Sequence, residues 1–302
     1  MSRADRLFIE TCRDILTNGY SDECFDVRPR WEDGTPAHTL AVFGVTHRYD
    51  LSKEFPMMTL RRTFWKTAWN EIRWIWQQKS NNVHDLNGHI WDEWADETGS
   101  IGKAYGYQMG FLSRYKDVTK EGLVKAFGDD LPNRNIRLSE DGIYMLDQTD
   151  RVIYQLVNDP GSRRIMTNMY NPADLSEMHL APCAYSMTFT VTGNKLNAIL
   201  NQRSQDMMTA CNFNEVQYAM LQLALCAAYG FEPGEFLHVI ANCHIYDRHM
   251  DMIRHLIEQP QYDAPKVLVD AAGKSFYDIT ADDILVEEYQ YNDEKYDIPV
   301  AV

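Results

Sequence analysis

The sequence predicts an α+β fold made of a single domain, and three observations lead to this prediction. Segments with the two-residue period of strands alternate along the chain with segments that have the period of helices. The sequence lacks the glycine-rich phosphate loop that opens a doubly wound nucleotide-binding fold. No linker rich in proline or serine divides the chain, so residues 1–302 are expected to fold as one unit.

The composition is that of an ordinary globular protein with an acidic surface. Hydrophobic residues make up 45% and charged residues 24% of the 302 positions. A chain of this length buries roughly 75% of its unfolded surface, so it needs no disulfide or metal for stability. The net charge of −15 argues against broad binding to nucleic acid or to an anionic membrane, but it leaves room for a local basic pocket.

The cysteines and the apolar segments indicate a reducing, cytoplasmic location. No C-x-x-C pair is present, which weakens zinc and redox-motif interpretations and leaves room for one nucleophilic cysteine. The longest apolar stretch, residues 219–231, is interrupted by Gln222 and is too short to span a bilayer. The first residues lack the order of charges and apolar residues that marks a signal peptide. The six cysteines are Cys12, Cys24, Cys183, Cys211, Cys226 and Cys243.

The first half of the chain begins with a helix. The spacing Ser2-x-x-Asp5 is typical of a helix start, and Asn18-Gly19 of a helix end, so a helix to about Thr17 is expected. Residues 40–49 are expected to form a strand.

A strong helix is predicted for residues 64–77, because its apolar side chains form one stripe. Residues 99–110, rich in glycine and aromatic residues, are expected to form a loop and a turn. Residues from about 111 to 147 are polar and are interpreted as a surface insertion. The stripe consists of Trp65, Ala68, Trp69, Ile72, Ile75 and Trp76.

The second half predicts a hairpin, a buried helix and a further strand. Residues 185–191 alternate between apolar and polar, as a half-buried strand does. Residues 192–195 supply a turn, and residues 196–202 form the partner strand. Residues 214–229 are apolar nearly all round, which predicts a central buried helix. Residues 236–246 are expected to form another strand.

Two segments can carry chemistry on the residues alone. Cys183, at a strand start, can attack an electrophilic carbon if its thiolate is stabilised, although a small buried residue is the commoner role. Arg203 beside Ser204 suits a phosphate, and the guanidinium would lower the pKa of a nearby thiol. A surface salt bridge is the plainer alternative for Arg203. Arg163-Arg164 is a second basic site in an acidic protein and favours the phosphate interpretation.

Four further features each have a functional and a structural interpretation. Asn214 can cap a helix or bind the edge of a pyrimidine. His244 and Tyr246 can bind adjacent hydroxyls or form a core pair. Glu71 can be a proton-transfer group with a raised pKa, or it can face solvent. The segment IWDEW at 90–94 can stack on a flat ligand or belong to the core.

Together these segments resemble the thymidylate synthase family, from about residue 26 to residue 302. Each motif is weak alone, but the set in this order and spacing is specific to the family. The N-terminal match, DVR at 26–28 and TPAHT at 35–39, is most similar to a branch from Bacillus and its phages. The motifs are GTPAHTL at 34–40, HIWDEWAD at 89–96, AYG at 104–106, DPGSRR at 159–164, LAPC at 180–183, QRSQD at 202–206, FN at 213–214, HIY at 244–246 and PVAV at 299–302.

The resemblance implies an α+β fold with a mixed sheet packed against helices, and a homodimer formed through that sheet. It implies dUMP as acceptor and 5,10-methylenetetrahydrofolate as one-carbon donor, with no metal, no membrane and no requirement for nucleic acid. The expected reaction is reductive methylation to dTMP in the cytoplasm, or in the host cytoplasm if a phage encodes the chain.

Catalytic roles carry over by position. The resemblance implies that Cys183 adds to C6 of the uracil, which makes C5 nucleophilic. Glu71 would shuttle protons at O4 through water, and Tyr105 would help to remove the C5 proton. Asn214 would bind the O4/N3 edge, and Arg203 would act beside the nucleophile.

Binding roles follow in the same way. Arg28 is the best match for an N-terminal arginine at the phosphate, and Arg163 and Arg164 would reach the partner's site. The folate-binding set is Trp91, Trp94, Asp206 and Val302, whose carboxylate would close the site. The substrate-binding set is Arg28, Arg163, Arg164, Gln202, Arg203, Ser204, Asp206, Asn214, His244 and Tyr246.

Several residues depart from the family pattern. Ala184 replaces a histidine, as in the related branch, and Arg73 replaces an apolar residue. The segment TACNFN at 209–214 stands where the pattern is Leu-Gly-x-Pro-Phe-Asn, and ANCH at 241–244 replaces Gly-Asp-x-His. These changes suit a hydroxymethylase that forms 5-hydroxymethyl-dUMP with water in place of hydride. A second alternative is a binding protein that has lost turnover. Asn214 favours uracil over cytosine in each case.

Overall fold

The computed structural model describes residues 1–86, 91–271 and 273–302, which form a six-stranded sheet with helices packed on it. The α-helices are α1 Arg3–Asn18, α2 Trp65–Ile72, α3 Gly106–Met109, α4 Lys120–Phe127, α5 Gln148–Asn158, α6 Phe213–Tyr229 and α7 Met250–Leu256. The strands are β1 Tyr20–Ser21, β2 Thr39–Asp50, β3 Ser113–Tyr115, β4 Arg137–Leu138, β5 Tyr144–Leu146, β6 Met166–Asn168, β7 Ala184–Thr192, β8 Lys195–Asp206, β9 Glu232–Tyr246, β10 Lys266–Val269 and β11 Ile284–Glu287.

The central sheet is mixed, as the family resemblance implies. Its strand order is β1-β2-β9-β8-β7-β6. Strands β8 and β9 are parallel, and the other neighbouring pairs are antiparallel. Because parallel neighbours need a crossover, helix α6 connects β8 to β9 across the face of the sheet. The α+β fold class is therefore confirmed.

The main core lies between the inner face of the sheet and helices α2 and α6. Helix α6 is buried along most of its length, which explains why its sequence is apolar nearly all round. Trp69, Trp74 and Trp76 are completely buried beside it. A smaller apolar cluster lies under α1 and α7, at the other end of β9. These two clusters fix the elements that carry the candidate site.

Helix α1 confirms the predicted start signal but uses Asp5 in another way. The Ser2 hydroxyl oxygen accepts a hydrogen bond from the Asp5 N–H at 3.0 Å. The buried Asp5 carboxylate accepts from the backbone N–H groups of Thr59 and Leu60, at 2.7 and 3.3 Å. It therefore connects the helix start to the segment that leads to α2.

The helix predicted for residues 64–77 changes its geometry halfway. The α-helical part ends at Ile72, and a π-helical segment, Arg73–Gln78, continues it. The wider turn buries Trp74 and Trp76 together. Arg73 donates to Gln77 Oε1 at 3.0 Å, which accommodates a cation at the position where the family pattern is apolar.

The polar segment around residues 111–147 is folded, with strands β3, β5 and β4 forming a small antiparallel sheet beside α4. Leu123, Phe127 and Leu146 from this segment are buried in the main core. The segment is thus attached through a few apolar side chains spaced among polar ones. Its origin as an insertion stays a prediction.

One local prediction was wrong, and one of the two alternatives for Asn214 is excluded. The segment 99–110, expected to be only loop and turn, contains the short helix α3. The residue that caps α6 is Asn212, with a φ of 67°, and Asn214 lies inside the helix. No helix in the described part of the chain is long and apolar enough to cross a membrane.

Candidate active site

A cavity of about 440 Å³ opens between α2, α6 and the start of β7. Six residues predicted from the sequence line it, namely Glu71, Trp91, Trp94, Tyr105, Cys183 and Asn214. The rest of its wall is mostly apolar and comprises Ile75, Glu93, Leu180, Ala184, Thr209, Ala210, Phe213, Gln217, Tyr218 and Val300. The structure therefore brings the predicted nucleophile, proton-transfer group and amide to one surface.

Cys183 precedes β7, and its half-buried side chain faces the cavity. Its backbone N–H donates to the Tyr105 hydroxyl at 3.1 Å, which places both residues at one end of the site. Burial raises the pKa of the Cys183 thiol, whereas the positive charges of Arg203 and Arg28 lower it. Because burial dominates, the thiol needs those two charges to form its reactive thiolate.

The Arg203 guanidinium is fixed by the chain segment that carries the nucleophile. Its Nε donates to the Pro182 carbonyl at 3.1 Å, and its Nη2 donates to the Ala181 carbonyl at 2.7 Å. Nη2 also lies 3.5 Å from Cys183 Sγ. Arg203 lies on β8, which pairs with β7, and Cys183 directly precedes β7. The pairing of these two strands therefore keeps the guanidinium charge beside the sulfur.

Glu71 lies in α2 with only 6% of its surface exposed. Burial raises its pKa to about 7, although the neighbouring Gln217 and Trp91 side chains oppose the shift. A carboxyl with this pKa can both donate and accept a proton near neutral pH. The predicted raised pKa therefore agrees with the structure.

Three side-chain amides form a row behind the cavity wall. Gln202 Nε2 donates to Asn214 Oδ1 at 3.3 Å, and Asn214 Nδ2 donates to Gln217 Oε1 at 2.9 Å. The analysis of the sequence missed Gln217. Its position three residues after Asn214, on the same helix face, is the signal that could have identified it.

Aromatic side chains form one side of the cavity. The ring centroids of Trp91 and Tyr105 are 4.9 Å apart, and those of Trp91 and Trp94 are 5.7 Å apart. A rigid wall of this kind suits a flat ring system. The remainder of the HIWDEWAD motif includes His89 and Ile90, which lie outside the described residues.

The other predicted binding residues lie away from the cavity lining. His244 and Tyr246 are side by side on β9, with ring centroids 5.1 Å apart. Asp206 accepts hydrogen bonds from the Met208 N–H at 2.8 Å and from the Thr209 hydroxyl. Burial alone would raise the pKa of Asp206, but its hydrogen bond to His249 and nearby histidine charges lower it. Half-buried Ser204 precedes this group on β8.

The arginine pair and the C-terminal residues have different settings. Arg163 and Arg164 are exposed between α5 and β6. Val302 exchanges backbone hydrogen bonds with Arg30 at 2.8 and 3.0 Å, and Val300 reaches the cavity wall. The ligand roles of all these residues stay predictions.

A group of three buried titratable side chains lies behind the amide row. The ligand-type atoms of His47, Glu215 and His238 lie within 4.8 Å of one another. His47 Nδ1 is 2.6 Å from Glu215 Oε1, which is a hydrogen-bond distance and is too short for two ligands of one metal ion. We call this group the buried triad. Its members are connected by hydrogen bonds between imidazole and carboxylate and not through a metal ion.

Comparisons with known proteins agree with the geometry. A family model described as thymidylate synthase matches residues 6–302. The chain is 39% identical over 297 residues to thymidylate synthases of Bacillus subtilis subsp. natto and of Bacillus phage phi3T, covering 97% of each chain. It matches the solved structure of thermostable thymidylate synthase A from Bacillus subtilis with a TM-score of 0.84 and 38% identity, over 99% of both chains. The resemblance to the Bacillus and phage branch is thereby confirmed, and the chain belongs to the thymidylate synthase family.

Proposed function

We propose that this chain methylates dUMP to dTMP, with 5,10-methylenetetrahydrofolate as one-carbon donor. One observation carries the proposal: Cys183, with the Arg203 guanidinium 3.5 Å from its sulfur, faces the same cavity as Glu71 and Asn214. A thiolate, a neutral acid and an amide are the groups that C5 chemistry on uracil requires. The relatives named as thymidylate synthases support the same reaction.

The first step makes an unreactive carbon nucleophilic. The Cys183 thiolate forms a bond to C6 of the uracil, and the electron pair of the C5–C6 double bond moves through C4 to O4. Glu71, with a pKa of about 7, exchanges a proton with O4 through water. Asn214 donates to O4 and accepts from N3–H.

The later steps release Cys183 from the pyrimidine. Tyr105, whose hydroxyl accepts from the Cys183 N–H, lies where it can help to remove the C5 proton. Loss of that proton allows the S–C6 bond to break and restores the thiolate of Cys183. When bound, the folate supplies the one-carbon unit and the hydride that reduces it.

The residues present fit a bound folate. Trp91, Trp94 and Val300 line an apolar part of the cavity that suits a pteridine ring. Thr209 lines this cavity at the position where the family pattern has leucine, but its hydroxyl donates its hydrogen to Asp206. The apolar part of the wall suits the water-poor pocket that hydride transfer needs, and this supports methylation over hydroxymethylation.

We also propose a homodimer through the outer face of the sheet. Ile199, which is 37% exposed, is paired in register with Thr188 on one side and Leu237 on the other. Ile199 and Leu237, side by side in the middle of a sheet face, are suited to contact with a second copy of the chain. In that dimer, exposed Arg163 and Arg164 would bind the phosphate in the partner's site. The six free cysteines suit a reducing cytoplasm.

Incubation with dUMP and methylenetetrahydrofolate, followed by mass spectrometry, tests the proposal. We expect dTMP with dihydrofolate. The appearance of 5-hydroxymethyl-dUMP with tetrahydrofolate would instead establish the hydroxymethylase. With 5-fluoro-dUMP and the folate, a stable adduct on Cys183 is expected, and an unmodified protein would contradict the mechanism.

Replacing Cys183→Ser separates an enzyme from a binding protein. The variant should lose at least about 10³-fold in activity, since the hydroxyl is a far weaker nucleophile, but keep its affinity for dUMP. Unchanged product formation by the variant would assign the chemistry elsewhere, and an inactive parent chain that binds dUMP would be a binding protein.

A further inference from the structure

The buried triad is connected to the cavity by a continuous row of hydrogen bonds. His238 Nε2 lies 2.9 Å from Gln202 Oε1, and Gln202 Nε2 lies 3.3 Å from Asn214 Oδ1. Asn214 Nδ2 then lies 2.9 Å from Gln217 Oε1. His238 and Gln202 are 0% and 2% exposed, so water does not compete for these contacts.

The direction of these hydrogen bonds is fixed by a backbone carbonyl. The nitrogen of the Gln202 amide donates to the Ser204 carbonyl oxygen at 2.9 Å, which can only accept, and to Gln205 Oε1. Asn214 Oδ1, at 3.3 Å, is the third and longest of its acceptors. The amide oxygen must therefore point toward His238. An amide oxygen cannot donate, so the hydrogen in this contact must be on His238 Nε2.

The other edge of the His238 ring faces the carboxylate of Glu215. Nδ1 of His238 lies 3.4 Å from Glu215 Oε1. That carboxylate is itself fixed, because the Tyr49 hydroxyl and Asn212 Nδ2 both donate to its other oxygen at 3.0 Å. His47 completes the arrangement at 2.6 Å. The imidazole of His238 cannot turn without breaking this packing.

We propose that His238 is a positioning residue that sets which pyrimidine the chain accepts. It holds the oxygen of the Gln202 amide while the Ser204 carbonyl holds the nitrogen, and the amide so fixed favours an Asn214 whose oxygen faces Gln202 and whose nitrogen faces Gln217. The remaining lone pair and hydrogen of Asn214 then match the N3–H and O4 of uracil. Cytosine presents the reverse pattern, so binding it requires the Asn214 amide to rotate by half a turn. The rotated amide would place its oxygen against the Gln217 oxygen and its nitrogen against the Gln202 nitrogen, and both contacts are repulsive. The inference rests on the proposed function for the identity of the ligand.

Three variants test it by the ratio of dCMP to dUMP dissociation constants, measured by titration calorimetry. His238→Leu removes the donor at similar length, and we expect dUMP affinity to fall and the ratio to shrink about tenfold, a change of about 1.4 kcal/mol. His238→Gln can place an amide nitrogen near the position of Nε2 and should restore much of the ratio. Thr11→Val is the matched control, since Thr11 contacts only the far side of the triad, at His47 Nε2, 2.9 Å away.

A folded His238→Leu protein with the parental ratio would overturn the inference, as would an equal effect of Thr11→Val. If His238→Leu does not fold, nitrogen NMR of the parent chain decides: a hydrogen on His238 Nε2 near neutral pH supports the inference, and a bare Nε2 overturns it. Formation of dTMP with unchanged ratios would refute only the role of His238. Altered ratios without any dTMP would refute only the proposed reaction.

Discussion

Cys183 and Glu71 line one cavity, and burial raises the pKa of both. For Glu71 this is useful, because the carboxyl becomes a proton carrier near pH 7. For Cys183 it is a cost that the charges of Arg203 and Arg28 offset. Neither shift can be read from the sequence, because the amount of water around a side chain depends on the folded surroundings.

Removing the guanidinium beside the nucleophile should make the thiol harder to ionise. In Arg203→Met, the midpoint of the pH dependence of Cys183 alkylation should move to higher pH, since a positive charge near the sulfur is lost. The rate of iodoacetamide labelling at Cys183, followed by peptide mass spectrometry, measures this. Arg248→Met is the control, because Arg248 pairs with Asp33 on the surface. A midpoint that stays in place would show that Arg203 does not act on the thiol.

Replacing Glu71→Gln should change how stability depends on pH. The folded-state pKa of about 7 lies above the ordinary 4.5, so the stabilising effect of the protonated carboxyl is complete below about pH 4.5 and is lost as pH rises through 7. The variant carries no such charge. Its free energy of unfolding relative to the parent should therefore rise between pH 5 and pH 8, by up to roughly 3 kcal/mol.

Urea unfolding at several pH values measures that difference. The matched control is Glu93→Gln, at the exposed rim of the same cavity, which should leave the pH dependence of the parent unchanged. A Glu71→Gln curve parallel to the parent curve would mean that Glu71 is already ionised at pH 5.

At the scale of elements, the loop before α6 explains one departure from the family pattern. Asn212 has a φ of 67°, which a proline cannot adopt because its ring holds φ near −65°. Its side chain accepts from the Met58 N–H at 2.7 Å and donates to the Pro56 carbonyl at 3.0 Å. The asparagine therefore supports both the left-handed turn and the Glu215 carboxylate of the buried triad.

Restoring the residue of the family pattern should damage this chain. Asn212→Pro should reduce the free energy of unfolding by roughly 3 kcal/mol or more, since the backbone angle and the side-chain hydrogen bonds are lost together. Asn212→Gly keeps the angle available and should cost less. Thermal unfolding monitored by circular dichroism compares the two, and a proline variant as stable as the glycine variant would contradict this explanation.

The order and type of the main elements could be predicted because their periods are strong. The alternation of apolar and polar residues in β7 follows from the burial of one face of the strand. The apolar surface of α6 follows from the burial of the helix on nearly all sides. The π-helical segment after Ile72 could not be predicted, because its apolar stripe is the same as that of an α-helix. Asn212 was recognised as a departure, but its positive φ depends on partners more than 150 positions away in the chain.

At the scale of the whole molecule, the outer face of the sheet is the surface on which the proposed dimer depends. Ile199→Asp would place a charge in the middle of that face. We expect the dissociation constant of the dimer to rise about 30-fold or more, roughly 2 kcal/mol, and activity to fall with it as Arg163 and Arg164 leave the partner's site. Light scattering on a size-exclusion column measures the mass.

The control for this prediction is Leu268→Asp. Leu268 is 60% exposed, but it lies on the hairpin of β10 and β11, outside the central sheet. It should leave the dimer and the activity unchanged. A monomeric parent chain that is fully active, or an Ile199→Asp dimer of unchanged strength, would contradict the proposed interface.

The pairing of β2 with β9 has a consequence for how the chain reaches its native state. Asp50 lies opposite Glu235 in this pair, so the middle of the sheet joins segments that emerge from the ribosome far apart in time. Loop closure over such a distance is entropically costly, and contacts of this kind slow refolding. During synthesis, one edge of β2 stays unpaired until β9 has been translated. Aggregation of nascent chains should therefore fall sharply once the C-terminal third, which contains β9, has been made.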